Sequence, residues 1–289
     1  MSIITRYVIN VNIFIILCLC EQVAGNAQKA PLPDDHKSVH NAFSLNKKDL
    51  ENIVAELPAE IRDRILLSPD RFLSLMANVI NEPAGMLTLV DKKHRLPSGY
   101  EPSDLVSMKD YPLKISQQYF KISSAVIPDL LEMAQAARKD GIELTFASTY
   151  RSESFQRTLY ERNVKRRGRK EADRVSAQPG HSQHQLGVAV DFGSVNDSFT
   201  GTKMERWLNS NAWKYGFSLS YPKGREDITG YRYESWHYRY TGKPAAELER
   251  AYFGGVQQFM MEFFHSKGSI FIAKRTRDKS KPSPFSIKN

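Results

Sequence analysis

Ser182-Gln183-His184-Gln185-Leu186-Gly187-Val188-Ala189-Val190-Asp191 is the densest stretch of the 289-residue chain. Leu186 to Asp191 reads as a strand, in which successive side chains point to opposite faces. Leu186, Val188 and Val190 then turn toward a core, and Gly187, Ala189 and Asp191 turn the other way. A face of glycine, alanine and one carboxylate leaves room for something bulky beside that carboxylate. His184 stands just upstream, where the Gln185–Gly187 turn folds it over the same face. One His and one Asp are half of a site for a hard-to-borderline metal ion.

Glu234-Ser235-Trp236-His237 supplies the other half. Two imidazoles and one carboxylate make a three-ligand zinc site with a fourth position open. Glu234, three residues before His237, is placed to take a proton from water and hand it to a leaving amine. Singly, each residue has a plainer reading: a histidine in a core, an aspartate capping a strand. The residues alone leave those readings and the metal site side by side.

Outward from these runs, Ile142 to Ala147 and Trp236 to Tyr240 read as strands, and Leu87 to Val90 as a short one. Val126 to Lys139 is an amphipathic helix, with Ile127, Leu130, Ala134 and Ala137 on one face and Gly141 ending it. Phe155 to Arg166 is a basic helix, Lys203 to Tyr215 another, and Ala245 to Phe264 a closing helix weakened at Gly254-Gly255. Strands and helices mix without βαβ alternation, which predicts an α+β fold: a small antiparallel sheet with flanking helices around the cleft. Ahead of it, within residues 44–85, Ser44 to Ile80 carries helical periodicity broken by Pro58 and Pro69 into three helices, with Ser68 as a cap and Pro69 at the first helical position. They read as a small helical appendage, preceded by a linker over 28–43. The main domain then covers 86–264.

Residues 1–27 have the order of an export signal: Arg6, an apolar run from Ile13 to Cys20, and small residues before a cut after Gly25 or Ala27. The alternative is a segment retained as a membrane anchor. A lipoprotein is disfavoured, since Leu19 stands where a small residue is wanted before Cys20. Both cysteines lie in this segment, so the mature chain has no thiol for a disulfide, a zinc site or a nucleophile. The expected location is the periplasm or cell envelope.

The formal net charge is +9. From His265 onward the tail 265–289 carries seven Lys and Arg against Asp278, and Lys165 to Arg174 holds six cations and two anions. No nucleic-acid fold signature accompanies them and the chain is expected to be exported. Nucleic acid is therefore excluded as a partner, and weak contact of the tail with anionic envelope polymers or a membrane surface is the reading for charge.

The S-x-H-x-x-G-x-A-x-D and E-x-W-H runs resemble the VanY-type zinc D-alanyl-D-alanine carboxypeptidases, in the group that includes lysostaphin-like enzymes and the hedgehog signalling domain. Ser148-Thr149-Tyr150-Arg151-Ser152 with Gln156, Ser176 to Gly180, Tyr221-Pro222, Glu226 and Ile228 to Tyr231 agree with it, so the likeness runs from about Leu87 to Gly242. Ser235 departs from it where many relatives carry proline, and His181 is an extra imidazole beside the run. The resemblance implies one zinc ion held by His184, Asp191 and His237, with Glu234 as general base and acid. It implies Arg151 as the clamp on the substrate's terminal carboxylate, and Gln156, Ser182 and Tyr221 as pocket residues. The expected substrate is the peptidoglycan stem peptide, trimmed of its terminal D-alanine. An L,D-carboxypeptidase, a peptidoglycan endopeptidase and an inactive wall-binding module are the alternatives.

Overall fold

The computed structural model describes residues 37–82 and 85–276; the export signal, most of the expected linker and the tail from 277 lie outside the described residues. Three helices come first: α1 (Lys47–Val54), α2 (Ala59–Leu67) and α3 (Pro69–Val79). Asn46 and Asp49 form a reciprocal capping box on α1. Pro69 opens α3 as expected, but Ser68 does not cap it: its hydroxyl pairs with Tyr252 Oη at 3.0 Å.

Next come β1 (Leu105–Ser107), β2 (Lys114–Ile115), β3 (Lys121–Ser123), α4 (Ile127–Lys139), β4 (Thr145–Ser148), α5 (Glu153–Arg167) and α6 (Arg169–Val175). β5 (Ala189–Phe192), α7 (Lys203–Asn211), β6 (Phe217–Leu219), α8 (Glu226–Thr229), β7 (His237–Tyr240), α9 (Lys243–Tyr252) and α10 (Gln257–Ala273) complete the described chain. Five strands form one sheet in the order β2-β4-β5-β7-β6, antiparallel except for the β2–β4 pair at its edge. β1 and β3 make a separate antiparallel pair. The fold is α+β, and α4 packs its apolar stripe (Ile127, Leu130, Met133, Ala137) into the core that also takes Phe146, Val190 and Phe192 from the sheet.

Several sequence expectations shift. Leu87 to Val90 is not a strand: Arg239, fully buried on β7, donates through Nη2 to the carbonyls of Met86 (2.9 Å) and Thr88 (2.8 Å), so a guanidinium takes bonds that a ladder would need. The strand expected from Leu186 begins at Ala189. Gln183–Leu186 forms a 3₁₀ turn closed by Gly187 at φ 71°, a left-handed conformation suited to glycine. The closing helix is two: Gly254 and Gly255, both at positive φ, end α9, and α10 then runs on past Phe264 to Ala273. Residues 265–273 are therefore helix.

The expected appendage shares its core with those closing helices. Leu50, Val54, Phe72 and Met76 pack with Leu248, Tyr252, Phe263 and Phe271 in one cluster. Phe43, assigned from sequence to the linker, is fully buried, bridges Arg275 and meets the Phe271 ring edge-on at 5.8 Å. Lys267, counted with the basic tail, pairs with Glu56 at 2.9 Å. Helices that each bury one apolar stripe need a partner, and here α1, α2 and α3 supply it to α9 and α10, and the reverse.

Candidate metal centre and active-site cleft

Sheet register assembles the site. Asp191 on β5 stands directly opposite His237 on β7 and, on its other side, opposite Ser148 at the end of β4. Residues facing each other across antiparallel strands carry their Cβ atoms about 5 Å apart. His184 comes over this row from the 3₁₀ turn, and Ser182 Oγ, at the cap of that turn, accepts the His184 N–H at 3.3 Å.

His184 Nε2, His237 Nδ1 and Asp191 converge. His184 Nε2 is 3.3 Å from Asp191 Oδ2, His237 Nδ1 is 2.9 Å from Asp191 Oδ1, and the two ring nitrogens are 3.2 Å apart. Ligands at 2.0–2.1 Å from a tetrahedral zinc ion are separated by about 3.3 Å, so the triangle has the size a single small cation needs. The outer nitrogens are already committed. His184 Nδ1 donates to the Thr149 carbonyl at 2.7 Å, and His237 Nε2 donates to Gln183 Oε1 at 3.0 Å. Those acceptors fix the tautomers and leave the inner nitrogens as lone-pair donors, the arrangement of a metal-ligating histidine. All three residues are buried. The donor set therefore fits a divalent metal ion.

The charges agree. Burial pushes His184 down to about 4, helped by the Arg151 guanidinium, so its imidazole is neutral and able to ligate. Burial alone would raise Asp191, but it is held well below the ordinary carboxylate range, with the Arg151 guanidinium that pairs with it among the causes. Glu234 reaches to 4.0 Å from His237 Nδ1. Burial, then the Asp191 charge, raise it to about 8, against Arg151 and Arg232, which lower it. A cation at the triangle favours its carboxylate form.

The structure brings the remaining expected residues to the same cleft, of about 450 Å³, with the imidazoles, Asp191 and Glu234 at its base. Arg151 donates through Nε to Ser148 Oγ (2.9 Å) and through Nη2 to Asp191; no protein acceptor meets its Nη1 among the described residues. Gln156, on the first turns of α5, is buried; its amide nitrogen donates to the Ala177 carbonyl at 2.8 Å while its oxygen has no partner. Tyr221 lays its ring 4.8 Å from that of His237, and burial lifts its phenol well above the ordinary range. Ser182 also lines the cleft. His181 stands apart, bonded through Nδ1 to the Asp91 carbonyl at 2.7 Å, and Ser235 pairs with Thr200 Oγ1 at 2.9 Å.

Sequence reasoning missed the groups that hold the ligands. Thr149 acts through its carbonyl, which no residue type announces. Gln183 lies inside the quoted run, and a long amide next to a ligand histidine was the available signal. Gln183 also accepts from Ser220 Oγ (2.7 Å) and donates to Gln257 Oε1 (3.1 Å), on α10 and 74 residues away.

The D-alanyl-D-alanine carboxypeptidase model of the VanY family matches residues 120–243. YodJ of Bacillus subtilis strain 168 is 41% identical over 178 residues, 58% of this chain and 64% of YodJ. The LD-carboxypeptidase LdcB superposes with a TM-score of 0.56 at 37% identity, covering 62% of this chain and 86% of LdcB. The D,D-pentapeptidase VanY from a VanB-type resistance cassette, solved with Zn(II), gives 0.52 at 30% identity, covering 62% and 99%. The matches span less than two thirds of the first curated relatives, 64% and 62%. With the whole of the VanY pentapeptidase's fold covered at 30% identity, and its metal-sized triangle formed from the same two runs that carried the resemblance, this chain belongs to the VanY D-alanyl-D-alanine carboxypeptidase family.

Proposed function

We propose that the chain is a zinc-dependent D-alanyl-D-alanine carboxypeptidase, with one ion per chain, that trims the terminal D-alanine from peptidoglycan stem peptides. The observation that carries it is the convergence of His184 Nε2, His237 Nδ1 and Asp191 on one point, with Glu234 beside it. The Zn(II) found in the VanY relative supports zinc as the ion. When bound, zinc polarises the scissile carbonyl and acidifies the attacking water. Glu234, shielded in the base of the cleft, accepts that proton and delivers it to the leaving amine. Arg151 keeps Nη1 for the carboxylate of the terminal residue, a charge-assisted contact that defines an exopeptidase. Gln156, Ser182 and Tyr221 bound the peptide on the cleft walls.

A second reading is favoured by the LdcB likeness: L,D-carboxypeptidase action on tetrapeptide stems. Mass spectrometry of products from penta- and tetrapeptide stems separates the two, and loss of one D-alanine from the pentapeptide alone is the expected result. Arg151 provides the internal check. Arg151→Ala should lower kcat/KM by roughly 30- to 4,000-fold, the cost of unpairing a buried charge-assisted contact. Amidating the substrate's terminus should harm wild type similarly and add little in the variant. Equal cleavage of free-acid and amidated peptides by wild type rejects the carboxypeptidase and favours an endopeptidase. Residues 1–27 are proposed to direct export to the periplasm or envelope, where this substrate is found, and the basic tail to touch anionic envelope polymers there.

A further inference from the structure

α5 starts at the catalytic end of the cleft and runs away from it. Leu159, Arg162, Asn163, Arg166 and Arg167 all line the cleft. Their spacing of three, four, seven and eight residues places them on one face of the helix. The three arginines are exposed, and none makes an ion pair among the described residues. Two other arginines nearby are committed elsewhere: Arg174 to Glu171 and Glu226, Arg157 to Glu153. Across the cleft Arg232 pairs with Asp197, so that wall adds no net charge. The outer cleft is thus a cationic wall without a counter-charge.

Helix geometry says what part of a substrate it meets. Gln156 lies at the catalytic end. Arg162 is six residues farther, about 9 Å along the axis, and Arg166 and Arg167 are about 15–16 Å along it. An extended peptide advances about 3.4 Å per residue. A carboxypeptidase leaves one residue beyond the scissile bond, so the long side of the cleft takes the acyl part of the peptide. The arginines then flank the third to fifth residues before the scissile bond.

We propose that Arg162, Arg166 and Arg167 form a subsite for a free carboxylate on the acyl side of the peptide, borne by about the third residue before the scissile bond. This rests on the peptidase reading above and adds a specificity determinant to it. The contact is exposed, which limits its worth: about 1 kcal/mol per good pair, or roughly fivefold. Such a pair is screened at high salt, where the Debye length falls to about 3 Å at 1 M.

The test uses two matched peptides, acetyl-L-Ala-γ-D-Glu-L-Lys-D-Ala-D-Ala and the same peptide with the glutamyl α-carboxylate converted to carboxamide. Binding is measured by calorimetry on zinc-loaded Glu234→Gln protein, so that turnover is not required, and cleavage on wild type in parallel. The carboxylate peptide should bind about 5- to 20-fold more tightly at low ionic strength, and the two should converge at 1 M salt. In the triple variant Arg162→Gln/Arg166→Gln/Arg167→Gln, with zinc content and melting as the folding check, the preference should vanish. Arg162→Glu should reverse it. Equal binding of the two peptides at low salt, a preference that survives the triple variant, or binding of neither peptide overturns the subsite. Equal peptide binding with arginine-dependent binding of poly(glycerol phosphate) overturns it in favour of a polymer contact. Preferential binding without cleavage by wild type would sink the peptidase reading and leave the subsite standing.

Discussion

Gln183→Leu removes the acceptor that holds His237 in its ligating tautomer. In the structure Gln183 Oε1 takes the His237 Nε2–H at 3.0 Å and the Ser220 hydroxyl at 2.7 Å, while its amide nitrogen reaches Gln257 Oε1 at 3.1 Å. Leucine fills a similar volume with no acceptor. Ser220 retains Gln257 Oε1 at 3.3 Å, so one donor, the imidazole N–H, is left buried and unpaired. That costs about 1–3 kcal/mol of stability in the metal-free protein. Loss of a group that orients a metal-bound histidine weakens metal affinity by about 10–100-fold, equivalent to roughly 1.4–2.7 kcal/mol. Gln257→Leu acts one bond farther out and leaves the Gln183–His237 contact in place, so its effect on affinity should stay below about tenfold. Gln183→Glu preserves the acceptor and should keep zinc. The assay is competition for zinc against a chelator of known affinity, with thermal melts of each metal-free variant to confirm folding. Zinc affinity of folded Gln183→Leu within twofold of wild type would refute the reasoning.

His184→Ala should abolish stoichiometric zinc, read by atomic absorption on purified protein, and full peptidase activity without metal would sink the site. Glu234→Gln should keep zinc while turnover falls by about 10²–10⁴-fold, the usual worth of a positioned acid–base group; turnover within a few-fold of wild type would remove Glu234 from the role. Glu249, on α9, is buried with Oε2 unpartnered, and burial raises it to about 8. A carboxyl raised in the folded state favours folding most below its unfolded value near 4.5, and that contribution is lost as pH rises through about 8. Glu249→Gln should therefore raise the melting temperature by several degrees at pH 8 and change it little at pH 4.5; an equal shift at both would contradict the assignment.

The local patterns were legible because they are local. Alternation put Ala189 and Asp191 on one face of a strand, though Gly187, read onto the same face, closes the preceding 3₁₀ turn instead; Glu234 sits three residues from His237 whatever the rest of the chain does. Helical period, with Pro58 and Pro69 as punctuation, marked α1, α2 and α3. The cleft-lining positions of Arg151, Gln156, Ser182 and Tyr221 came from resemblance, and the structure places all four at one cleft.

Partners are another matter, because a periodic pattern says which face is buried and not what covers it. The register that sets Asp191 against His237 spans 46 residues and follows from the pairing of β5 with β7. The acceptors that choose the imidazole tautomers come from Thr149, Gln183 and, behind it, Gln257, and buried polar groups find partners only once the packing is complete. Leu87 to Val90 has the composition of a strand, yet Arg239 takes the carbonyls of Met86, just before it, and Thr88, within it. An amphipathic stripe made α1 to α3 look like an appendage, while the burial of Phe72 against Tyr252 and Phe271 makes them half of a core completed by the end of the chain. The direction of α5 along the cleft, on which the cationic wall depends, likewise exists only in three dimensions: charge could be counted from residue types, but its position relative to the metal centre required the fold.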